Sequence, residues 1–496
     1  MKQIDIYALL VLTVTILIIF HPVFYAEYLY TDEATQIWFS AKKLNYQTSI
    51  PQGRYITYLI FEWVFTFIHT THDIIHARLF SLFGWIVCLP VWYFIINKII
   101  VKNQLPKVLV FVSMLYLICM PPFAIYIGWA ACMQMFIACT SSLVAGYILY
   151  EGIKYQNNRT HISTGVIVLS IVLGNVSLFT YQNGFGCFLI PFFIHFIAAK
   201  KITKTIYLGI AFTLFIYLIY FLLYKYSISL HAVAISERSS LTTNPINKLL
   251  YFIARPLANA FHFTFLFNEK SIGGFIAYIF IAALWLTLHL VKQKLKTLQN
   301  QLIYLAGLLS FFIIIYLPSL LVKENFSSHR TMFALDMVVF IMVMETIFST
   351  IKNSKATYIL AASISIFMIV NAWYNFNIQF LNPLTKEYSA VKQIINNSYD
   401  TSIHMIQYIP SKENAFEKRY GIIQSWDEFG VPSTAKVWTG EPIIKQLIFE
   451  KTNNRIIAEN TLVKSLVSKD VFSLSKDSTT AKILLMNMDN MSVDKQ

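Results

Sequence analysis

The chain has 496 residues, 56% of them hydrophobic and only 13% charged, with a mean hydropathy of +0.57. No soluble globular domain has that balance, so the composition points to an integral membrane protein. The net charge of +14 invites a nucleic-acid partner, but the excess sits in short connections between apolar runs rather than in a basic domain, which argues against nucleic acid.

In chain order, apolar runs near the length needed to cross about 30 Å of hydrocarbon fall at 6–25, 79–97, 107–124, 130–150, 163–181, 184–199, 203–224, 272–291, 301–322, 332–349 and 357–375. They predict an all-α polytopic bundle of about eleven transmembrane helices. The first run has little basic character before it and no small-residue cleavage site after it, where His21-Pro22-Val23-Phe24-Tyr25 follows; it is expected to remain as an anchor. The stretch Ile56 to Ile68 is too short to span and contains Glu62. It is expected to lie along the interface.

Orientation follows from the basic residues, because short cytoplasmic loops retain Lys and Arg during insertion. Lys98, Lys102 and Lys107 occupy one connection, Lys154 and Arg159 another, then Lys200, Lys201 and Lys204, then Lys292, Lys294 and Lys296, then Lys352 and Lys355. Every second connection is basic. The alternate ones, Pro121 to Trp129 and Tyr181 to Gly184, carry no Lys or Arg. That alternation puts the N-terminus in the cytoplasm and the C-terminus outside.

Three outward segments are long enough to build a site. They are the loop within 26–78, the loop within 226–271 with His231, Glu237, Arg238, Arg255 and His262, and the C-terminal segment 376–496. In the last, Lys386 to Asn397 has the pattern of an amphipathic helix and His404 to Ile409 that of a strand, so a small mixed α/β domain is expected after the membrane domain 1–375. Its turn Trp426-Asp427-Glu428-Phe429-Gly430 offers acids for a polar ligand such as an acceptor, although a plain surface turn has the same composition. All five cysteines fall inside apolar runs, which suggests core packing rather than disulfides or a metal site. No Walker loop, HExxH or GxSxG is present.

The acidic pair Asp32-Glu33 lies just beyond the first run, among Tyr25, Tyr28, Tyr30 and Trp38, with Gly53-Arg54 following in the same loop. Acids after a span are often simple interface solvation. Here the rings suit sugar stacking and the arginine suits an anion. The expected chemistry is attack of an acceptor hydroxyl on a sugar carried by a lipid phosphate, with Asp32 or Glu33 as general base. Outward arginines would neutralise the departing phosphate; Arg54, Arg78, Arg238, Arg255 and Arg330 are the candidates, His329 precedes the last, and Asp336 follows as its potential partner.

The layout of an anchor span, an acidic outer loop, an interfacial stretch, a polytopic bundle and an outward C-terminal domain resembles a GT-C glycosyltransferase. The Tyr30 to Tyr55 pattern resembles, within that class, the serotype-converting O-antigen glucosyltransferases of bacteria and their temperate phages. The resemblance implies transfer of glucose from undecaprenyl phosphate glucose to an O-antigen or other lipopolysaccharide sugar at the periplasmic face of the inner membrane. Many such enzymes carry two acids, or an acid with a metal, in this loop; here the pair is Asp-Glu, which leaves open which acid is the base and whether a divalent cation assists. Two other classes fit the same composition: a polysaccharide or lipid-linked glycan transporter or polymerase, and a noncatalytic membrane scaffold. A transporter would be expected to show inverted repeats and midplane charges, and the spans carry few charges away from their ends.

Overall fold

The computed structural model describes residues 3–40, 49–156, 159–231, 240–266, 272–295, 297–325, 327–423, 428–466 and 482–495. Arg238, Trp426 and Asp427 lie outside them. Among the described residues eight helical segments are long and apolar enough to cross a membrane, or nine if one bent pair counts as a single span. The chain is a multi-pass, mostly helical membrane protein with a small sheet after the last span.

Helix α1 (Gln3–Phe20) leads into a turn at His21–Phe24 and a short helix α2 (Glu33–Ser40). Helix α3 (Tyr55–Val64), extended by a turn at Phe65–Phe67, covers the stretch expected at the interface and exposes Leu59, Trp63 and Phe67 along one side. Helix α4 (Ile74–Lys102) is followed by α5 (Val108–Cys119) and α6 (Pro121–Gly128). The run expected as one span at 107–124 is these last two, bent by 46°. Met120 has extended backbone (φ −72, ψ 149) because the ring of Pro121 disfavours a helical residue before it.

Helix α7 (Met135–Gly152) precedes a two-residue-gap hairpin of β1 (Lys154–Gln156) and β2 (Arg159–His161), then α8 (Thr164–Thr180), a 3-10 segment Gln182–Leu189 and α9 (Ile190–Ala199). Next come α10 (Lys204–His231), α11 (Pro245–Phe252), α12 (Ile272–Gln293), α13 (Leu298–Ile315), α14 (Leu317–Leu321), α15 (His329–Thr350) and α16 (Ser354–Tyr374). The expectation of about eleven spans exceeds the eight or nine found among the described residues; α8, with 17 residues, is one run that falls short of a full crossing.

The basic connections gather at one end. There Lys102 Nζ donates to Glu151 Oε1 at 2.8 Å, Lys292 pairs with Glu345, and His195 Nδ1 meets Asn103 Oδ1 at 2.8 Å. The loops that follow α1 and precede α4 lie at the opposite end. Helix α15 is the central strut, buried along almost its whole length.

The chain leaves α16 without a break. A π-turn at Asn375–Leu381 joins it to α17 (Asn382–Ser398), so the expected start of the C-terminal unit at 376 lies inside one continuous helical stretch. Then follow β3 (Ile403–Ile409), α18 (Glu413–Tyr420), α19 (Val437–Thr452), α20 (Arg455–Asn460), β4 (Leu462–Ser465), β5 (Lys482–Asn487) and β6 (Ser492–Lys495). The strand order is β4-β3-β5-β6, with β3 parallel to both neighbours and β6 antiparallel. Both the amphipathic helix and the strand expected from the sequence are present. Ile403, Ile406 and Tyr408 of β3 are buried, and α19 packs against α2, which docks this unit on the end of the bundle opposite the basic connections.

Candidate active site

The acidic loop is built by a tight turn. Thr31 has φ +41, an uncommon conformation for a β-branched residue and one that structures keep where surrounding contacts impose it. The turn closes with Glu33 N–H donating to Tyr30 carbonyl at 3.1 Å, and α2 starts at once, with Gln36 N–H donating to Asp32 carbonyl at 2.9 Å. Successive residues at a helix start point about 100° apart. That rotation sends the two acids to different fates.

Glu33 turns inward and is fully buried. Its carboxylate accepts from Tyr30 N–H at 2.8 Å, from Ala130 N–H at 2.7 Å and from the Arg78 guanidinium. Arg78 is also fully buried; its second partner is the Tyr28 carbonyl at 2.9 Å, and its guanidinium lies 3.4 Å from the centre of the Tyr28 ring. Burial pushes the Glu33 carboxyl up, while Arg78 and the two N–H donors pull it down. The pair therefore joins α2, α4 and the start of α7 from inside. The expectation that Glu33 acts as base and Arg78 as phosphate ligand is corrected on this ground: both are occupied with each other and closed to solvent.

Asp32 turns outward and is half-buried. Trp438 Nε1 donates to its Oδ1 at 3.3 Å. Arg54 comes from the turn before α3, where Gly53 has φ +74 and its carbonyl accepts from Tyr220 Oη at 3.1 Å. A Cβ at Gly53 would fall 2.2 Å from that oxygen, so only glycine fits. Arg54 Nε donates to Gln182 Oε1 at 3.2 Å and the guanidinium lies 4.4 Å from the Tyr181 ring centre. Burial lowers the pKa of Arg54, and the charge of Arg330 acts in the same direction against the Tyr181 phenol. An arginine remains protonated despite such shifts.

Arg330 arrives from the first turn of α15. Its guanidinium lies 4.5 Å from the Trp129 ring centre and its Nε is 3.6 Å from Glu428 Oε1. Asp32, Arg54, Arg330 and Glu428 each lie within electrostatic range of one buried thiol, Cys132. The chain positions that meet there are separated by up to 396 residues. Buried polar atoms of neighbouring residues have no hydrogen-bond partner in the protein, among them Trp129 Nε1, Gln134 Oε1 and Gln36 Oε1. Such atoms also occur elsewhere in the bundle, Trp85 Nε1, Ser113 Oγ and Tyr116 Oη among them, so they do not by themselves single out this cluster.

Glu428 is buried rather than presented to solvent: its Oε2 accepts from His329 N–H at 3.0 Å and its backbone carbonyl accepts from Tyr30 Oη at 2.9 Å. It ties the C-terminal unit to α15, which corrects the expectation of an acceptor contact. His329 is buried against Phe429, edge to face at 5.3 Å. Arg255 lies half-buried in the π-turn Ile253–Leu257. Asp336 is buried in α15 two turns beyond Arg330, so it does not serve as the expected partner, a place taken by Glu428. Trp438, Tyr181, Trp129 and Gln182 were not singled out from the sequence; rings and amides inside or beside apolar runs look like ordinary core until the fold brings them together. Among the described residues no three His, Cys, Asp or Glu side chains form a metal site. Comparison with protein-family models, with curated proteins and with solved structures finds no match.

Proposed function

We propose that this protein is a membrane glycosyltransferase of the GT-C kind, moving a sugar from a polyprenyl-phosphate carrier to a glycan at the extracytoplasmic face, with glucose and O-antigen as the expected pair. The observation that carries the proposal is the convergence of a half-buried carboxylate, Asp32, with two guanidiniums, Arg54 and Arg330, at the end of the bundle opposite the basic connections. The two guanidiniums and two carboxylates of the cluster cancel overall, but Arg54 has a neutral amide as its side-chain acceptor among the described residues, which leaves its charge available to an anion. The end opposite the basic connections is the one that the alternation of basic and uncharged short connections assigns to the outside.

In the proposed reaction Asp32 accepts the proton of an acceptor hydroxyl as that oxygen bonds to the anomeric carbon. The bond from that carbon to the carrier phosphate breaks, and its electron pair leaves with the phosphate. Arg54 and Arg330 offer planar N–H donors to the phosphate oxygens, and Tyr181 and Trp129 hold the guanidiniums from behind.

The test is sugar transfer in membranes containing the protein, with radiolabelled polyprenyl phosphate glucose as donor and linkage analysis of the surface polysaccharide. Asp32→Asn is expected to lower transfer by about 10²- to 10⁴-fold, the usual share of a positioned base. Polysaccharide of identical linkage with and without the wild-type protein would sink the proposal.

A further inference from the structure

Trp438 is an unusual residue for its place. It stands in the first turn of α19 with 53% of its surface exposed, at the end of the molecule that holds the charged cluster. Large exposed aromatic side chains elsewhere on this chain lie mainly on the apolar helices, such as Trp63 on α3 and Trp373 on α16, where lipid covers them. Trp438 belongs instead to the C-terminal unit, whose surface is polar, and its indole edge meets the one carboxylate that the proposed reaction needs.

We propose that Trp438 is a stacking platform for a pyranose ring of the acceptor, which holds a ring hydroxyl within reach of Asp32. This rests on the transferase function proposed above. The indole N–H is engaged with Asp32 Oδ1 at 3.3 Å, which fixes the ring edge and leaves ring surface open to solvent. A pyranose presents a face of C–H groups that packs on an aromatic face, while its hydroxyls project at the rim. A sugar stacked on this indole therefore has its hydroxyl rim beside the carboxylate.

The platform is rigid relative to the base although 406 residues separate the two in sequence. Buried Glu387 of α17 accepts from Ser433 N–H at 2.8 Å and from Thr434 N–H at 3.1 Å, which fixes the strand of chain entering α19. Ser433 Oγ donates to the Leu29 carbonyl, immediately before the acidic turn. Arg455 of α20 donates to the Trp38 carbonyl at 2.6 Å and covers the Trp38 ring at 4.6 Å, clamping the far end of α2. Glu441 stands one turn after Trp438, half exposed and paired with Lys445 at 2.8 Å, and supplies polar groups beside the platform for further sugar hydroxyls.

The test uses the full chain in nanodiscs without donor, so it requires no turnover. Saturation-transfer difference NMR with methyl β-glucopyranoside, methyl β-galactopyranoside and methyl α-mannopyranoside reports which protons contact the protein. At least one pyranoside should show saturation centred on ring C–H protons of one face. Trp438→Ala should lower it at least fivefold, Trp438→Phe should keep at least half, and Asp32→Asn should keep the C–H contacts. No pyranoside signal in the wild type, or an undiminished signal in Trp438→Ala, would overturn the platform. If binding depends on Trp438 while the wild-type protein transfers no sugar, the platform stands and the transferase proposal falls; transfer without Trp438-dependent binding gives the reverse.

Discussion

Replacing Glu33 by Gln separates the two acids of the outer loop. In the native protein the Glu33 carboxylate takes three donors, one of them the guanidinium of Arg78, and neither side chain has solvent exposure. The amide of Gln can still accept from one backbone N–H but leaves the Arg78 charge without its carboxylate. Removing one partner of such a buried pair costs about 3–5 kcal/mol. Glu33→Gln should therefore unfold at markedly lower temperature in detergent, with less folded protein recovered from membranes. Adding Arg78→Met, which removes the stranded charge and keeps the bulk, should restore most of that loss. Asp32→Asn keeps an amide oxygen that can accept from Trp438 Nε1, loses only the charge at a half-buried site, and should shift stability by less than about 1 kcal/mol. Its transfer activity should nonetheless collapse. Thermal melts followed by tryptophan fluorescence, with transfer measured on the same preparations, decide the matter. A Glu33→Gln protein that melts like the wild type but transfers nothing would refute this division of roles and make Glu33 the base.

Arg54→Lys and Arg330→Lys keep the charge but lose the planar fork, and each should cut transfer by about 10- to 100-fold, measured at saturating acceptor; unchanged donor use in both would remove the phosphate assignment. Gly53→Ala places a Cβ against Tyr220 Oη at 2.2 Å in a backbone of φ +74 and should destabilise the protein by more than about 1 kcal/mol. Adding Tyr220→Phe should recover only the part due to the clash, as a melting series would show. Glu27 is held below the ordinary carboxylate value of 4.5 by its hydrogen bond to Lys392, with His72 adding to the effect against partial burial. A carboxylate depressed in the folded state stabilises above its unfolded pKa, and the gain is lost as pH falls through the folded one. The melting difference between wild type and Glu27→Gln, worth below about 1 kcal/mol for so exposed a pair, should thus be present at pH 7 and vanish below pH 4.5.

Much of the bundle is legible in the order of residues. Apolar runs near 18 residues long admit little except helix in a membrane, because no water there can satisfy the backbone. The amphipathic spacing of Lys386 to Asn397 and the alternation of His404 to Ile409 likewise describe what α17 and β3 become. Span count was less legible, since whether a run crosses depends on breaks such as Met120 before Pro121 and on helix lengths of one or two residues either side of a threshold.

The site divides along the same line. That an acidic pair and an arginine after Gly53 share a loop at the end opposite the basic connections follows from charge and spacing, which are properties of the chain read in order. Which of two adjacent acids is buried depends on the strained turn at Thr31 and on the distant atoms that meet each side chain, Arg78 and Ala130 for Glu33, Trp438 for Asp32. The choice of Arg330 over Arg78 as an anion ligand depends in the same way on the burial of one and the partial exposure of the other. Burial and partnership are set by packing between segments hundreds of residues apart, and a linear pattern carries no term for them.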